Sequence, residues 1–131
     1  MGGYRAWMLS ALSDKIQVGA AICWMNTTDC QFSWEYGRER GGFANMLPGI
    51  RRYLDYPHIA SIACPKPMLF LNGEHDKLFP PVGVRDAFAE MHKVWESRSA
   101  GDRLVTELWD MPHDCGKKVQ AKILDFLNKW L

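Results

Sequence analysis

The chain has 131 residues, about one ordinary domain by length, with 47% hydrophobic and 24% charged residues, which excludes a disordered tail, a collagen-like rod or a low-complexity segment. Lys and Arg number 16 and Asp and Glu 15, for a formal net charge of +1; that leaves no basic footprint for nucleic acid or an anionic membrane. No apolar run approaches the roughly 18–20 residues of a bilayer span.

Along the chain, Tyr4, Trp7, Met8, Ala11 and Leu12 recur at helical spacing and predict a helix that starts almost at residue 3. Ile16 to Trp24 is a nearly continuous apolar run, as in a strand buried on both faces. Residues 25–47 have no clean period and read as loop with short helical turns. Pro48 suits the first turn of a helix carrying Ile50, Tyr53 and Leu54, and a short turn around His58–Ile62 follows. Met68 to Leu71 is a second buried strand, stopped by Asn72-Gly73. Pro80-Pro81 opens a helix with Val84, Ala87, Phe88, Met91, Val94 and Trp95 on one face. After a turn over residues 99–102, Leu104 to Trp109 is a third strand. The last helix places Val119, Ile123, Phe126, Leu127 and Trp130 on one stripe. Strands alternating with helices predict an α/β fold, a three-layer parallel sheet of about three strands with flanking helices and right-handed crossovers. No linker or repeat divides the chain, so residues 1–131 read as one domain.

In a parallel sheet, functional groups collect in loops at the carboxyl ends of the strands. Two such loops are rich in ionisable groups: Asn72-Gly73-Glu74-His75-Asp76-Lys77 and Met111-Pro112-His113-Asp114-Cys115. If the strands are parallel, both loops lie on one edge of the sheet, and a carboxylate from one can meet an imidazole from the other. An Asp bonded to a His ring nitrogen fixes its tautomer and stabilises the imidazolium, the supporting half of a nucleophilic triad. Asp114 reads as the N-cap of the last helix, His75 as a solvated loop residue and Cys115 as structural. Cys23, Cys30, Cys64 and Cys115 form no C-x-x-C pair. They read as free thiols of a reducing, cytoplasmic compartment, although a targeting signal upstream would not be seen. Trp7, Trp95, Trp109 and Trp130 lie on helical or strand faces and read as core.

The segment L-x-N-G-x-x-D-x-x-x-P, Leu71 to Pro80, resembles the acid loop of the α/β-hydrolases, with Asp76 at the acid position. Met-Pro-His-Asp at 111–114, followed by an amphipathic helix, resembles their histidine loop and final helix. The order acid then histidine is the family's. Met1-Gly2-Gly3-Tyr4 resembles the nucleophile elbow G-x-S-M-G-G cut just after its serine. The resemblance spans the whole chain but matches only the C-terminal half of the family fold. It is closest in texture to dienelactone-hydrolase and acetyl-xylan-esterase-like serine esterases.

The resemblance implies an ester hydrolase with Asp76 and His113 as catalytic residues, no metal or cofactor, and a small-molecule or carbohydrate ester as substrate. The nucleophile falls outside the sequence. The backbone of Met1 takes the oxyanion position, and Trp24 and Trp34, with Tyr36, Asp29 and Glu35 nearby, fall where the family's substrate pocket lies. On this reading the chain is a truncated hydrolase domain, inactive by itself. Its first strand has lost its neighbour, and the exposed sheet edge favours a homo-oligomer. Two alternatives stand beside it: a non-catalytic half-hydrolase that binds or scaffolds, and a metal hydrolase built on His75, Asp76, His113 and Asp114.

Overall fold

The computed structural model describes residues 1–33 and 49–131. Trp34, Glu35, Tyr36 and Pro48 lie outside the described residues. The elements run α1 (Gly2–Leu12), β1 (Gly19–Ile22), α2 (Thr28–Gln31), α3 (Tyr56–Ala60), β2 (Met68–Gly73), α4 (Pro81–Ser97), β3 (Leu104–Trp109) and α5 (Lys117–Trp130). Short 3-10 turns at Ile50–Arg52, Ser61–Ala63 and Gly101–Arg103 join them.

The three strands form one sheet in the order β1-β2-β3, and both pairings are parallel. Ile22 pairs with Leu71 and Gly73 with Trp109, so all three strands end on the same edge. All six residues of β2 are buried, as expected of a strand with neighbours on both sides and helices over both faces. Met68 and Phe70 face a core shared with Trp7, Ile59, Val84, Met91 and Trp95 from α1, α3 and α4. Alternation along the strand turns Leu69 and Leu71 to the other face, where both are also fully buried. On α5, Val119 and Phe126 are buried outside that first cluster.

Several local expectations are revised. The first strand is only Gly19–Ile22, not Ile16 to Trp24. It ends because Cys23 takes a left-handed φ of 51°, which turns the chain out of the ladder. The turn expected around His58 is the helix α3, made stable despite its length by a capping box. The Asp55 side chain accepts from the Tyr56 N–H at 2.6 Å, and His58 Nδ1 accepts from the Asp55 N–H at 2.9 Å. Asp114 is not the cap of the last helix. That position is Gly116, and Asp114 instead accepts from the Gly116 N–H at 3.1 Å, a local loop bond. Trp7 and Trp95 are fully buried, whereas Trp109 and Trp130 are only half-buried, because among the described residues β3 is an edge strand and α5 a peripheral helix.

Gly3 shows why α1 begins as it does. A Cβ there would collide with the Ile22 carbonyl oxygen and lie 2.9 Å from Trp24 Cβ. The glycine lets the first turn of α1 press directly on the exit of β1.

Candidate active site

The β2 and β3 exits are stitched together beyond the sheet. The Glu74 N–H donates to the Trp109 carbonyl at 2.7 Å, and the His75 N–H to the Met111 carbonyl at 3.0 Å. The parallel ladder therefore continues into the two loops and fixes how they face each other. Asp76 is 4% exposed and His113 is exposed. His113 Nδ1 lies 2.7 Å from Asp76 Oδ2. Asp76 Oδ1 accepts from the Leu78 N–H at 2.9 Å, so both carboxylate oxygens are held. Nδ1 carries the proton when His113 is neutral, since its partner is a carboxylate that only accepts. Nε2 then bears the free lone pair, and no partner for it is found among the described residues. The Phe79 ring lies nearly parallel to the imidazole, centroids 6.2 Å apart.

A buried polar chain leads to this pair from the exit of β1. Asn26 Nδ2 donates to Gln31 Oε1 at 3.0 Å, and Gln31 Nε2 donates to the Leu78 carbonyl at 3.1 Å. Both side chains are buried, 0% and 3% exposed. Leu78 is thus gripped at its carbonyl by Gln31 while its N–H grips Asp76. Residues 25–47 gave no period that would mark Gln31; a polar pair five residues apart after a buried strand was the only trace it left.

A cavity of about 420 Å³ opens beside His113. Met1, Gly2, Gly3, Ala20, Ile22, Cys23 and Cys115 contribute to its walls. Met1 and His113 thus face one space. Trp24 does not line it: its ring is 5% exposed and packs among Tyr4, Trp7, Tyr56 and Phe79. Its link to the site is indirect, through Phe79. Trp34 lies outside the described residues. His75 is exposed as expected, but it is not merely solvated; its Nε2 lies 2.6 Å from Asp110 Oδ1. Cys115 is exposed.

Cys23, which the sequence did not single out, is buried at the mouth of the pair. Its thiol donates to the Asp114 carbonyl at 3.3 Å. Burial pushes the Cys23 thiol above its ordinary value, the Asp114 carbonyl and Gly73 backbone contacts partly oppose that, and the Asp76 charge adds to it. The quartet His75, Asp76, His113 and Asp114 is not drawn together. Among the described residues, the grouping close enough to share an ion is Cys23, Asp76 and His113.

No helix among the described residues is long and apolar enough to cross a membrane. No family model matches the chain. It is 29% identical over 131 residues to the Bacillus subtilis (strain 168) protein named "Putative hydrolase YtaP", a match that covers 100% of this chain and 44% of that protein. The chain therefore spans less than half the length of the curated relative it matches. Among solved structures it resembles a carbohydrate esterase family 15 glucuronoyl esterase from Caldicellulosiruptor kristjansonii, with a TM-score of 0.77, 17% identity and coverage of 98% of this chain and 40% of that one. It also resembles Methylesterase BT1017, with a TM-score of 0.70, 18% identity and coverage of 98% of this chain and 27% of that one. With a hydrolase among its relatives and esterases among its structural neighbours, the chain has the fold of the α/β-hydrolase esterases, in the part that corresponds to the C-terminal half of that fold.

Proposed function

We propose that these residues supply the acid and base of a serine ester hydrolase, as part of one α/β-hydrolase domain. The supporting observation is the 2.7 Å bond between a buried Asp76 carboxylate and the Nδ1 of a half-exposed His113. That bond leaves Nε2 as the lone pair that takes a proton from a hydroxyl nucleophile and later returns it to the leaving alcohol. The imidazolium formed in between is stabilised by Asp76, whose second oxygen stays on Leu78. The nucleophile is a serine carried outside these 131 residues, on a strand that pairs with the open edge of β1. The Met1 backbone N–H, following it, donates to the oxyanion of the tetrahedral intermediate. The cavity shared by Met1 and His113 supports that arrangement.

The substrate is a carboxylic ester of a small alcohol or a carbohydrate. The structural neighbours are named as a glucuronoyl esterase and a methylesterase, and the free thiols fit a cytoplasmic setting. The test assays the longer protein with p-nitrophenyl acetate and with a methyl ester of a uronic acid. His113→Ala abolishes hydrolysis, and Asp76→Asn lowers kcat by about 10⁴-fold, the scale seen when a triad acid is replaced. Hydrolysis that survives His113→Ala in a folded protein overturns the reading, as does a folded longer protein inert to both esters. The second outcome would favour a binding or scaffold role.

A further inference from the structure

Cys23, Asp76 and His113 reach the same point from three different elements: the exit of β1, the loop after β2 and the loop after β3. A thiol sulfur, a carboxylate oxygen and a ring nitrogen lie within 4.8 Å of one another. Around a single tetrahedral ion, ligands of these kinds sit about 3.5 Å apart, so closing on one asks for shifts of at most ~1.3 Å. His113 is free to make such a shift, because its side chain is 46% exposed.

We infer that Cys23, Asp76 and His113 form a binding site for a thiophilic divalent cation, of which Zn²⁺ is the type. Thiolate and carboxylate together balance its charge, and neutral imidazole completes a three-ligand set that favours Zn²⁺ over Mg²⁺ or Ca²⁺. The cavity lined by Cys23 and His113 gives access and room for a solvent molecule in the fourth position. Asp76 keeps its bond to the Leu78 N–H, which orients one carboxylate oxygen while the other turns to the metal. Binding releases the thiol proton, while the imidazole proton moves from Nδ1 to Nε2 and the ring stays neutral.

A dication between the Cys23 thiolate and the Asp76 carboxylate is attracted by both. The consequence for activity rests on the function proposed above: bound Zn²⁺ occupies the imidazole and the acid at once and inhibits the esterase.

The experiment titrates the 131-residue chain with Cd²⁺, whose bond to a thiolate gives an ultraviolet charge-transfer band, and with Zn²⁺ by calorimetry. One-to-one binding with the thiolate band is expected. Cys23→Ser removes the band, and Cys115→Ser keeps it. His113→Gln, at an exposed side chain, keeps the band and weakens binding by about tenfold or more, at least what loss of a supporting partner does. A band that is absent from the parent chain, that persists in Cys23→Ser or that vanishes in Cys115→Ser overturns the inference. So does His113→Gln binding as tightly as the parent. None of these readouts depends on ester hydrolysis, so the site can fail while the esterase reading stands, and the reverse.

Discussion

Gly73, the last residue of β2, lies so close beneath Pro112 that a Cβ on the glycine would stand 2.5 Å from the proline carbonyl oxygen and closer still to that of Met111. These two carbonyls lead directly into His113. The acid loop and the histidine loop can therefore approach within hydrogen-bonding range only because position 73 has no side chain.

Gly73→Ala is expected to push the 111–112 backbone away and lengthen the Asp76–His113 bond. Overpacking of this kind destabilises by about 1–3 kcal/mol. Urea unfolding of the chain measures that loss, and the His113 ring N–H resonance in NMR reports the bond directly. An alanine variant with unchanged stability and an unchanged His113 signal would contradict the close approach.

Gln31 acts on His113 only through Leu78 and Asp76, which makes it a positioning residue. Gln31→Met fills the same volume but leaves the Leu78 carbonyl and Asn26 Nδ2 without partners, at a cost of about 1–3 kcal/mol for each buried group left unsatisfied. In the longer protein, kcat should fall while KM is held, since the substrate pocket is untouched. Gln31→Glu keeps the acceptor for Asn26 but sets a buried carboxylate against the Leu78 carbonyl. It should therefore repeat the kcat defect with a larger loss of stability. Steady-state kinetics on both variants decide the matter.

Alkaline pH should unfold the chain through buried acids. Burial, with the charges of Tyr4 and Asp55 adding to it, pushes Tyr56 from 10.0 up to about 12. Burial likewise raises Cys23 above 9.0. A neutral acid whose folded value is raised binds its proton more tightly in the native state. Its contribution is complete below the unfolded value and is lost as pH climbs through the folded one. Stability should thus be flat up to pH ~9 and fall between about 9 and 12, with Tyr56 alone accounting for something on the order of 2 kcal/mol. Denaturation midpoints across that range, with Tyr56→Phe as the comparison, provide the measurement; a Phe variant with the same alkaline slope would remove Tyr56 as the cause.

Thiol reactivity should follow exposure. Cys115 is exposed, Cys30 and Cys64 are intermediate, and Cys23 is buried with a raised thiol. Iodoacetamide labelling followed by peptide mass mapping should find Cys115 first and Cys23 last.

Among the described residues, β1 has a strand neighbour on one side only, β2. Produced as the 131-residue chain, the protein should cover the other edge of β1 by pairing with a second copy. Light scattering should give a dimer or larger species, and Ala20→Lys, on β1 itself, should shift it towards monomer. A monodisperse parent monomer would count against the pairing.

The sequence by itself determined the alternation of strands and helices, because apolar periodicity is a local property of each segment. It determined β3 to the residue and the stretch of α4, where Pro81 and a long one-sided stripe leave no competing conformation. It also implied that Asp76 and His113 share a sheet edge, since parallel strands bring consecutive exit loops together. Only the tertiary structure decided how short β1 is, because the left-handed turn at Cys23 answers to packing beneath α1 and beside Asp114 rather than to hydropathy. The same holds for Trp24, whose apolar ring suits a pocket or a core equally until Tyr4, Trp7, Tyr56 and Phe79 surround it. Cys23 carries no sequence signature, and Gln31 only the faint one of a polar pair with Asn26. Their place beside Asp76 and His113 comes from contacts across the fold, 47 residues apart for Gln31 and Leu78 and 91 for Cys23 and Asp114, and no local pattern can encode a bond that only the folded sheet brings into range.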